Sequence, residues 1–457
     1  MINNKTAWLA ANNIPLYVNN FRTNIAIQEL PTAEESLPAT SFSLAGRIML
    51  KRSFGKTMFF TLKQDGAQIQ LMLKITNLSE PSWQLANRGL DIGDVIGVKG
   101  KLTLSHAGEL TLVVEEVQLL SKSLNQWPEK YHGLKSKDDI YRKRYVVLNH
   151  SRDIYQTFQT RFKIIAYIRR FMETKGFLEV ETPILQGVAS GAAAQPFVTH
   201  HKALDRDLFL RISPELHLKL LQVGGMSKIF ELNRSFRNEG ISVRHNPEFT
   251  MMECYEAYKD YRDAMSFTED LIHYLVEVLE LESHILGQKF ERISLLDITA
   301  RHLKLSNTEL ACLASLSKIG REYELKDLPT DLGSLQTILF DELVSPKITA
   351  PTFVHSYPSI TSPLALAVDG IAERAELFVN GMELANLYSE LSDPQEQELR
   401  FKQQSEMGID MDYVEALKYG LPPCAGIGIG VDRLVMLLTD SSCIRDVILF
   451  PTLQVKD

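Results

Sequence analysis

The stretch FRNEGISVRHNPEFT, residues 236–250, sets Arg237, Arg244 and His245 among Glu239, Gly240 and Glu248. A turn does not need that much charge to form, so the segment is a candidate for gripping a ligand. Arginine suits a phosphate, because its planar fork donates two parallel hydrogen bonds and keeps its charge. The flanking residues point the same way. In KIFELNRSFR, Phe230, Leu232 and Phe236 alternate with Glu231, Asn233, Ser235 and Arg237, which gives a strand with one polar face. In EFTMMECYEAY the same alternation groups Phe249, Met251, Glu253 and Tyr255 into an aromatic and apolar face with one acid in it. An acid there needs a partner or a ligand. The spacing predicts a hairpin whose loop of about ten residues brings its cations together. A salt-bridged surface hairpin is the commoner origin of such charges, and the two-sided pattern lowers its weight.

Two later segments carry further candidates. CAGIGIGVDRLVMLLTD, residues 424–440, places Gly426, Gly428 and Gly430 ahead of a helix that contains Arg433. The spacing does not match the G-x-G-x-x-G of a dinucleotide loop. The glycines are either a weak nucleotide-binding signal or positions of close backbone packing, with Arg433 paired to an acid. ERAELFVNGMELANLYSEL, residues 373–391, predicts a hairpin turning at Asn380-Gly381. Asn386, Tyr388 and Glu390 fall on one strand face, while Glu376 and Glu383 are oxygen donors of the kind that hold Mg²⁺. Strict alternation puts Glu383 opposite Asn386, so a shared site requires a bulge or a different sheet face.

These residues need a scaffold, and 457 residues with 45% hydrophobic and 23% charged side chains can supply two or three folded domains. The net charge of −8 argues against wholesale coating of nucleic acid and leaves a local basic patch open. No run approaches the ~18 apolar residues of a membrane span. Asn and Pro interrupt the apolar start, so it does not read as a signal peptide, and a cytoplasmic location is expected. Cys254, Cys312, Cys424 and Cys443 are far apart and lack zinc spacing, which predicts reduced, structural thiols.

SLAGRIML, KTMFFTLK, AQIQLMLK, DVIGVKGKLTL and ELTLVVEEVQLL alternate as five short strands without a long helix, a pattern that predicts a small barrel of the oligonucleotide-binding type. With Met58, Phe60, Leu62, Ile69, Leu71 and Leu73 inward, Phe59 and Gln70 point outward near Arg47, Lys51, Arg52 and Lys56. That face suits base stacking over a charged groove; coverage of Phe59 by another element is an equal alternative. KYHGLKSKDDIYRKRY, residues 130–145, reads as a linker. Beyond it, Ile154, Phe158, Phe162, Ile165, Ile168 and Met172 mark one face of a long helix ending near Gly176. Ser213 and Pro214 start another helix that runs to Gly224-Gly225. The remainder predicts an antiparallel α+β domain of roughly 300 residues.

Together these elements resemble the signature motifs of the class II aminoacyl-tRNA synthetases, and in detail the lysyl-tRNA synthetases, over nearly the whole chain. GFLEVETP (residues 176–183) is similar to the dimer-forming first motif, FRNEGISVRHNPEFT to the second and GIGIGVDRL (residues 426–434) to the third. RNEG followed by RHNPEFT and E-x-Y-x-A-Y marks the lysine enzymes. The resemblance implies an α+β fold: an N-terminal five-stranded OB-fold anticodon-binding barrel with linker in residues 1–140, then a catalytic domain in 141–457 built on an antiparallel sheet flanked by helices. It implies a homodimer that joins L-lysine to tRNA(Lys) through a lysyl-adenylate, with ATP as co-substrate and Mg²⁺ as cofactor.

Carried over by position, the resemblance assigns Arg237 to the α-phosphate, Glu239, Arg244 and His245 to the rest of the nucleotide, and Phe249 and Arg433 to the two faces of adenine. Glu376 and Glu383 take the magnesium. Glu215 and Glu390 hold the lysine ammonium, Tyr255 and Tyr388 flank its stem, and Gly191, Glu253 and Asn386 lie near its α-amino and carboxylate groups. Phe59, Gln70 and Glu116 match anticodon-reading positions. For Glu215 the plain alternative is strong, since an acid in a first helical turn is favourable by itself.

Departures from the family pattern are Gln195, Leu366 and Ala375, and residues 285–350 match it poorly. Two alternative functions are a paralogue that ligates lysine or an analogue to another acceptor, against which the barrel counts, and an RNA-binding regulator without catalysis. The second predicts loss of Arg237, Glu376, Glu383 or Arg433, and all four are present.

Overall fold

The computed structural model describes residues 2–31, 37–128, 136–188, 194–281, 284–404 and 410–454. The chain divides into two compact units, Met1–Gln156 and Thr157–Asp457.

In the first unit β1 (Phe42–Phe54), β2 (Thr57–Gln64), β3 (Ala67–Lys74), β4 (Val95–Leu104) and β5 (Leu110–Ser121) close a barrel in the order β1-β2-β3-β5-β4. Asp65 and Gly66 both take positive φ, +48° and +84°, which lets two residues connect β2 to β3 and fixes their register. The inward residues of the alternation, Met58, Phe60, Leu62, Ile69, Leu71 and Leu73, are all buried in one core. Two outward expectations change. Gln70 is buried, because its amide donates to Thr111 Oγ1 of the neighbouring β5 at 3.0 Å. Arg47 and Lys51 are not open groove cations. Arg47 donates to Gly93 O at 2.6 Å and lies over the Trp127 ring, and Lys51 Nζ donates to Ala86 O and Leu90 O at 2.7 and 2.9 Å. Burial lowers Lys51 to a pKa of about 8. Arg52 and Lys56 remain exposed. The described part of the expected linker is two short helices, Lys137–Arg142 and Arg144–His150.

The second unit is built on β6 (Leu178–Glu179), β10 (Lys228–Phe236), β11 (Glu248–Ala257), β12 (Glu291–Ser294), β13 (Thr352–Pro358), β15 (Ile371–Val379), β16 (Met382–Ser389) and β17 (Cys424–Gly430). They run in the order β12-β13-β15-β16-β17-β11-β10-β6, with β14 (Ala367–Val368) beside β15. The interior pairs are antiparallel, and the two edge strands β12 and β6 pair in parallel. A small second sheet holds β7 (Leu185–Gln186), β9 (Arg206–Leu210) and β8 (Phe197–His201) in that order.

Alternation along the large sheet separates a core from a site. Met252, Cys254, Leu377, Leu387, Ile427 and Ile429 pack with the helices Arg152–Thr174, Tyr261–Val278 and Val431–Leu438. Their strand neighbours face the other way. The apolar stripe of Arg152–Thr174 is turned from the expected one: Phe158, Arg161, Ile164, Ile168, Phe171 and Met172 are buried and Phe162 is 46% exposed. Arg161 makes this possible, since its guanidinium meets Asp432 at 2.5 Å and Val447 O at 3.1 Å. Removing one partner of such a pair typically costs about 3–5 kcal/mol. The polar face of β10 is likewise buried, with Glu231 bonded to Arg211 and Thr182 at 2.6 and 2.7 Å.

Residues 285–350, which depart from the family pattern, form helices Leu295–Leu303, Leu313–Glu322 and Leu332–Leu343 around a core containing Leu316, Leu339 and Phe340. Ala375 is fully buried in the main core. Among the described residues no helix is long and apolar enough to cross a membrane.

Candidate active site

On the polar side of the large sheet lies a cavity of about 1220 Å³. Glu215, Arg237, Glu239, Arg244, His245, Phe249, Glu253, Tyr255, Glu376, Glu383, Asn386, Tyr388 and Arg433 all line it. The structure therefore brings together residues from FRNEGISVRHNPEFT and its following strand, from the Asn380-Gly381 hairpin and from GIGIGVDRL, and none from GFLEVETP. Gly191 lies outside the described residues. Of the two alternatives for Glu383 and Asn386, the structure has the bulge: Leu377 pairs with Ala385 and Phe378 with Glu383, which leaves Leu384 unpaired.

At one end stand the cations. Arg237 directly follows β10, its backbone N–H donates to Pro247 O at 2.9 Å, and its guanidinium lies over Phe249, 5.2 Å from the ring centre. Its Nε is buried without a hydrogen-bond partner. Arg433 donates to Glu383 O at 2.6 Å and approaches Glu383 Oε2 at 3.4 Å. His245 Nε2 lies 3.2 Å from Arg433 and Nδ1 lies 2.8 Å from Ser242 Oγ. Burial first, and then the Arg433 charge, lower the His245 pKa, which favours a neutral ring beside that arginine. Arg244 is drawn to the β15–β16 turn, where it donates to Gly381 O and, at 3.4 Å, to Asn380 O. The ring contact of Phe249 is with Arg237, whereas Arg433 is engaged by Glu383 and His245.

Glu376 and Glu383 offer oxygen donors from adjacent strands to one wall. Tyr357 Oη donates to Glu376 Oε2 at 2.7 Å, and Arg374 pairs with Oε1. Burial raises the Glu376 pKa, Arg374 opposes the rise, and the like charge of Glu383 adds to it. Two carboxylates close enough to repel each other fit a divalent cation. Among the described residues no group of three or more His, Cys, Asp or Glu forms a cage.

The far end is acidic. Glu253 is buried, with both oxygens 3.1–3.2 Å from Ser213 Oγ, and burial followed by the Glu215 charge pushes it up to about 8. Ser213 Oγ also accepts from Glu215 N at 3.0 Å as the helix Glu215–Val223 begins. Glu390, 3% exposed, follows β16 and carries an Oε1 without a hydrogen-bond partner; Asn386 Oδ1 is also unpartnered. Lys219 lies between Glu215 and Glu390.

Residues 136–454 match the family described as tRNA synthetases class II (D, K and N), and residues 42–120 match the OB-fold nucleic acid binding domain. The chain is similar to "Lysine--tRNA ligase" of Magnetococcus marinus, 43% identical over 96% of this chain and 93% of the relative. It is similar to proteins of the same name from Legionella pneumophila, 46% identical over 90% and 87%, and from Azoarcus sp., 46% over 93% and 89%. The chain belongs to the class II tRNA synthetases, in their lysine–tRNA ligase family.

Within this synthetase three features were harder to read from sequence. Lys219 sits four residues after Glu215 on an apolar helix, ELHLKLLQV, and that i, i+4 spacing was its only signal. Arg374, held by Glu376 and by Thr361 O at 2.9 Å, appeared only as a charge in a strand. The glycines of residues 424–430 lie inside β17 rather than in a loop before the helix. At Gly426 a Cβ would come within 2.6 Å of the Tyr255 ring and closer still to Glu390 Oε1. Gly426→Ala is accordingly expected to raise KM for the amino acid about tenfold, from about 1–3 kcal/mol of overpacking, with KM for ATP little changed in pyrophosphate exchange.

On the synthetase's barrel, Phe59 is half-buried on the outer face, edge-to-face with the 63%-exposed Phe54 at 6.1 Å. Gln70 is on the adjacent strand, whereas Glu116 is on β5 and pairs with Lys99 at 2.7 Å.

Proposed function

We propose that the protein is an ATP-dependent lysine–tRNA ligase, with its active site in the sheet cavity. The observation that carries this reading is the chemistry of the unpartnered buried atoms lining or adjoining it. At one end is an arginine Nε suited to phosphate, and at the other is a carboxylate oxygen suited to an ammonium, in a chain similar to proteins named lysine–tRNA ligase over most of its length. In the first step a lysine carboxylate oxygen bonds to the α-phosphorus of ATP while the bond to the β-phosphate oxygen breaks, and pyrophosphate leaves with the electron pair. In the second, a terminal ribose hydroxyl of tRNA(Lys) attacks the activated carbonyl and AMP leaves. Neither step needs a nucleophilic side chain; positioning and charge neutralisation suffice.

Arg237 would neutralise the α-phosphate, with Glu239, Arg244 and His245 around the remaining nucleotide and Phe249 and Arg433 beside the adenine. Arg244 and Arg433 would exchange their contacts with Gly381 and Glu383 for ATP. Glu376 and Glu383 would hold Mg²⁺, which supplies Lewis-acid neutralisation of phosphate charge when bound. Glu215 and Glu390 would receive the lysine ammonium between Tyr255 and Tyr388, with Glu253, Asn386 and Gly191 at the α-amino and carboxylate end. A neutral analogue would leave these acids unpaired, which is the basis of strong rejection.

Residues 1–140 would read the anticodon through Phe59, Gln70 and Glu116, and residues 141–457 would catalyse. A homodimer is supported by the exposed Leu178, Ile184 and Leu185 in and beside GFLEVETP. A cytoplasmic location fits the substrates.

Charging of tRNA(Lys) with labelled lysine tests the whole reading. Phe59→Ala is expected to weaken charging about tenfold, from about 1–3 kcal/mol of lost stacking per base, while exchange measured without tRNA is unchanged. Equal loss in both assays would move Phe59 from RNA contact to structural support.

A further inference from the structure

Behind the acidic end of the cavity lies an ammonium group of the protein's own. Lys219 is fully buried on the helix Glu215–Val223, with Nζ 2.8 Å from Glu215 Oε1 and 2.5 Å from Glu390 Oε2. A lysine so enclosed persists only when paired, and here two acids from separate elements pair it. Burial works against its charge, and Glu215 and then Glu390 hold its pKa well above the ordinary lysine value. Glu390 is thereby asymmetric. Neither oxygen meets hydrogen-bond geometry, but Oε2 is the one ion-paired with Lys219, while Oε1 packs against Gly426, where a Cβ would collide with it.

We propose that Lys219 is a positioning residue for amino-acid selection: it anchors one oxygen of Glu390 and favours the charged form of that carboxylate, so that the other oxygen accepts the substrate's ammonium. The inference rests on the lysine reading of the site. Around Glu390 the titratable groups are Lys219 and Glu215 from the helix, Tyr255 from β11, Tyr388 from β16, Tyr413 from the helix Met411–Leu417 and Cys424 from β17. Burial raises the pKa of each of the three tyrosines and of Cys424, so they remain neutral. Among the described residues Lys219 is thus the cation that opposes burial and Glu215 at Glu390, lowering a carboxyl pKa that those two raise. Without Lys219 both remaining influences raise it. The ionised fraction then falls at neutral pH and recovers only at higher pH.

The test is lysine-dependent pyrophosphate exchange by the full chain over roughly pH 6 to 9.5, comparing wild type, Lys219→Met and Lys219→Gln, with thermal unfolding as the folding control. The expected result in a folded variant is KM for lysine raised about tenfold or more at neutral pH, with kcat and KM for ATP within about twofold. KM should decline to its plateau at a higher pH than in wild type. An unshifted profile with unchanged KM in either folded variant overturns the proposal. So does a uniform loss of kcat and ATP affinity with no shift, the signature of a purely structural lysine. Absence of lysine-dependent exchange in the wild type at every pH overturns the underlying lysine reading and this inference with it, and is distinguished because no variant is involved.

Discussion

Glu390→Gln is expected to lower kcat/KM for lysine more than a hundredfold in pyrophosphate exchange while KM for ATP stays within a few-fold. The amide presents a donor where an acceptor is needed, and it leaves Lys219 buried with Glu215 as its remaining acid partner. Breaking a buried charge pair costs about 3–5 kcal/mol, and about 1.4 kcal/mol corresponds to a tenfold change in rate. The loss should appear mainly in KM, because the ammonium lies away from the reacting carboxylate and binds similarly in ground and transition states. Activity within a few-fold of wild type, in a protein that melts normally, would remove Glu390 from ammonium recognition.

Arg237→Ala is expected to reduce the exchange kcat by about 10²–10³, the range for deleting one preorganised donor to developing charge. The protein itself positions the side chain: its backbone is tied to Pro247, its guanidinium rests on Phe249, and its buried Nε has no protein partner. Calorimetric titration with lysine alone should give near wild-type affinity, since Glu390 and Tyr255 are untouched. Unaltered kcat, or parallel loss of lysine binding, would place Arg237 outside the phosphate site.

Features governed by local rules were legible in the chain itself. Asp65-Gly66 and Asn380-Gly381 fix two hairpins because both residues of each turn must take positive φ, which these types tolerate. The bulge at Leu384 was foreshadowed because Glu383 and Asn386 could not otherwise share a face. Phe249, Met251, Glu253 and Tyr255 line the cavity as period-two alternation requires. What escaped depends on partners distant in sequence. Arg161 turns its helix inward because Asp432 awaits it, Gln70 is buried because β5 brings Thr111 alongside, and Lys219 gains its meaning from Glu390. Residues 285–350 could be assigned no fold from the family pattern, yet they build a small apolar core together with Val354 and Tyr357 of β13 and Phe378 of β15. Whether the alternation of a strand marks a solvent face or a buried polar layer, as on β10, is likewise set by tertiary covering and not by period.

The central claim is tested most directly by pyrophosphate exchange into ATP by the wild-type protein, with magnesium and without tRNA, offering lysine, ornithine, aspartate and asparagine in turn. Robust exchange with lysine, weaker exchange with ornithine and none with the other two is the expected result. No exchange with lysine from a folded protein, or exchange driven by aspartate or asparagine instead, would contradict the assignment of the cavity to lysine activation.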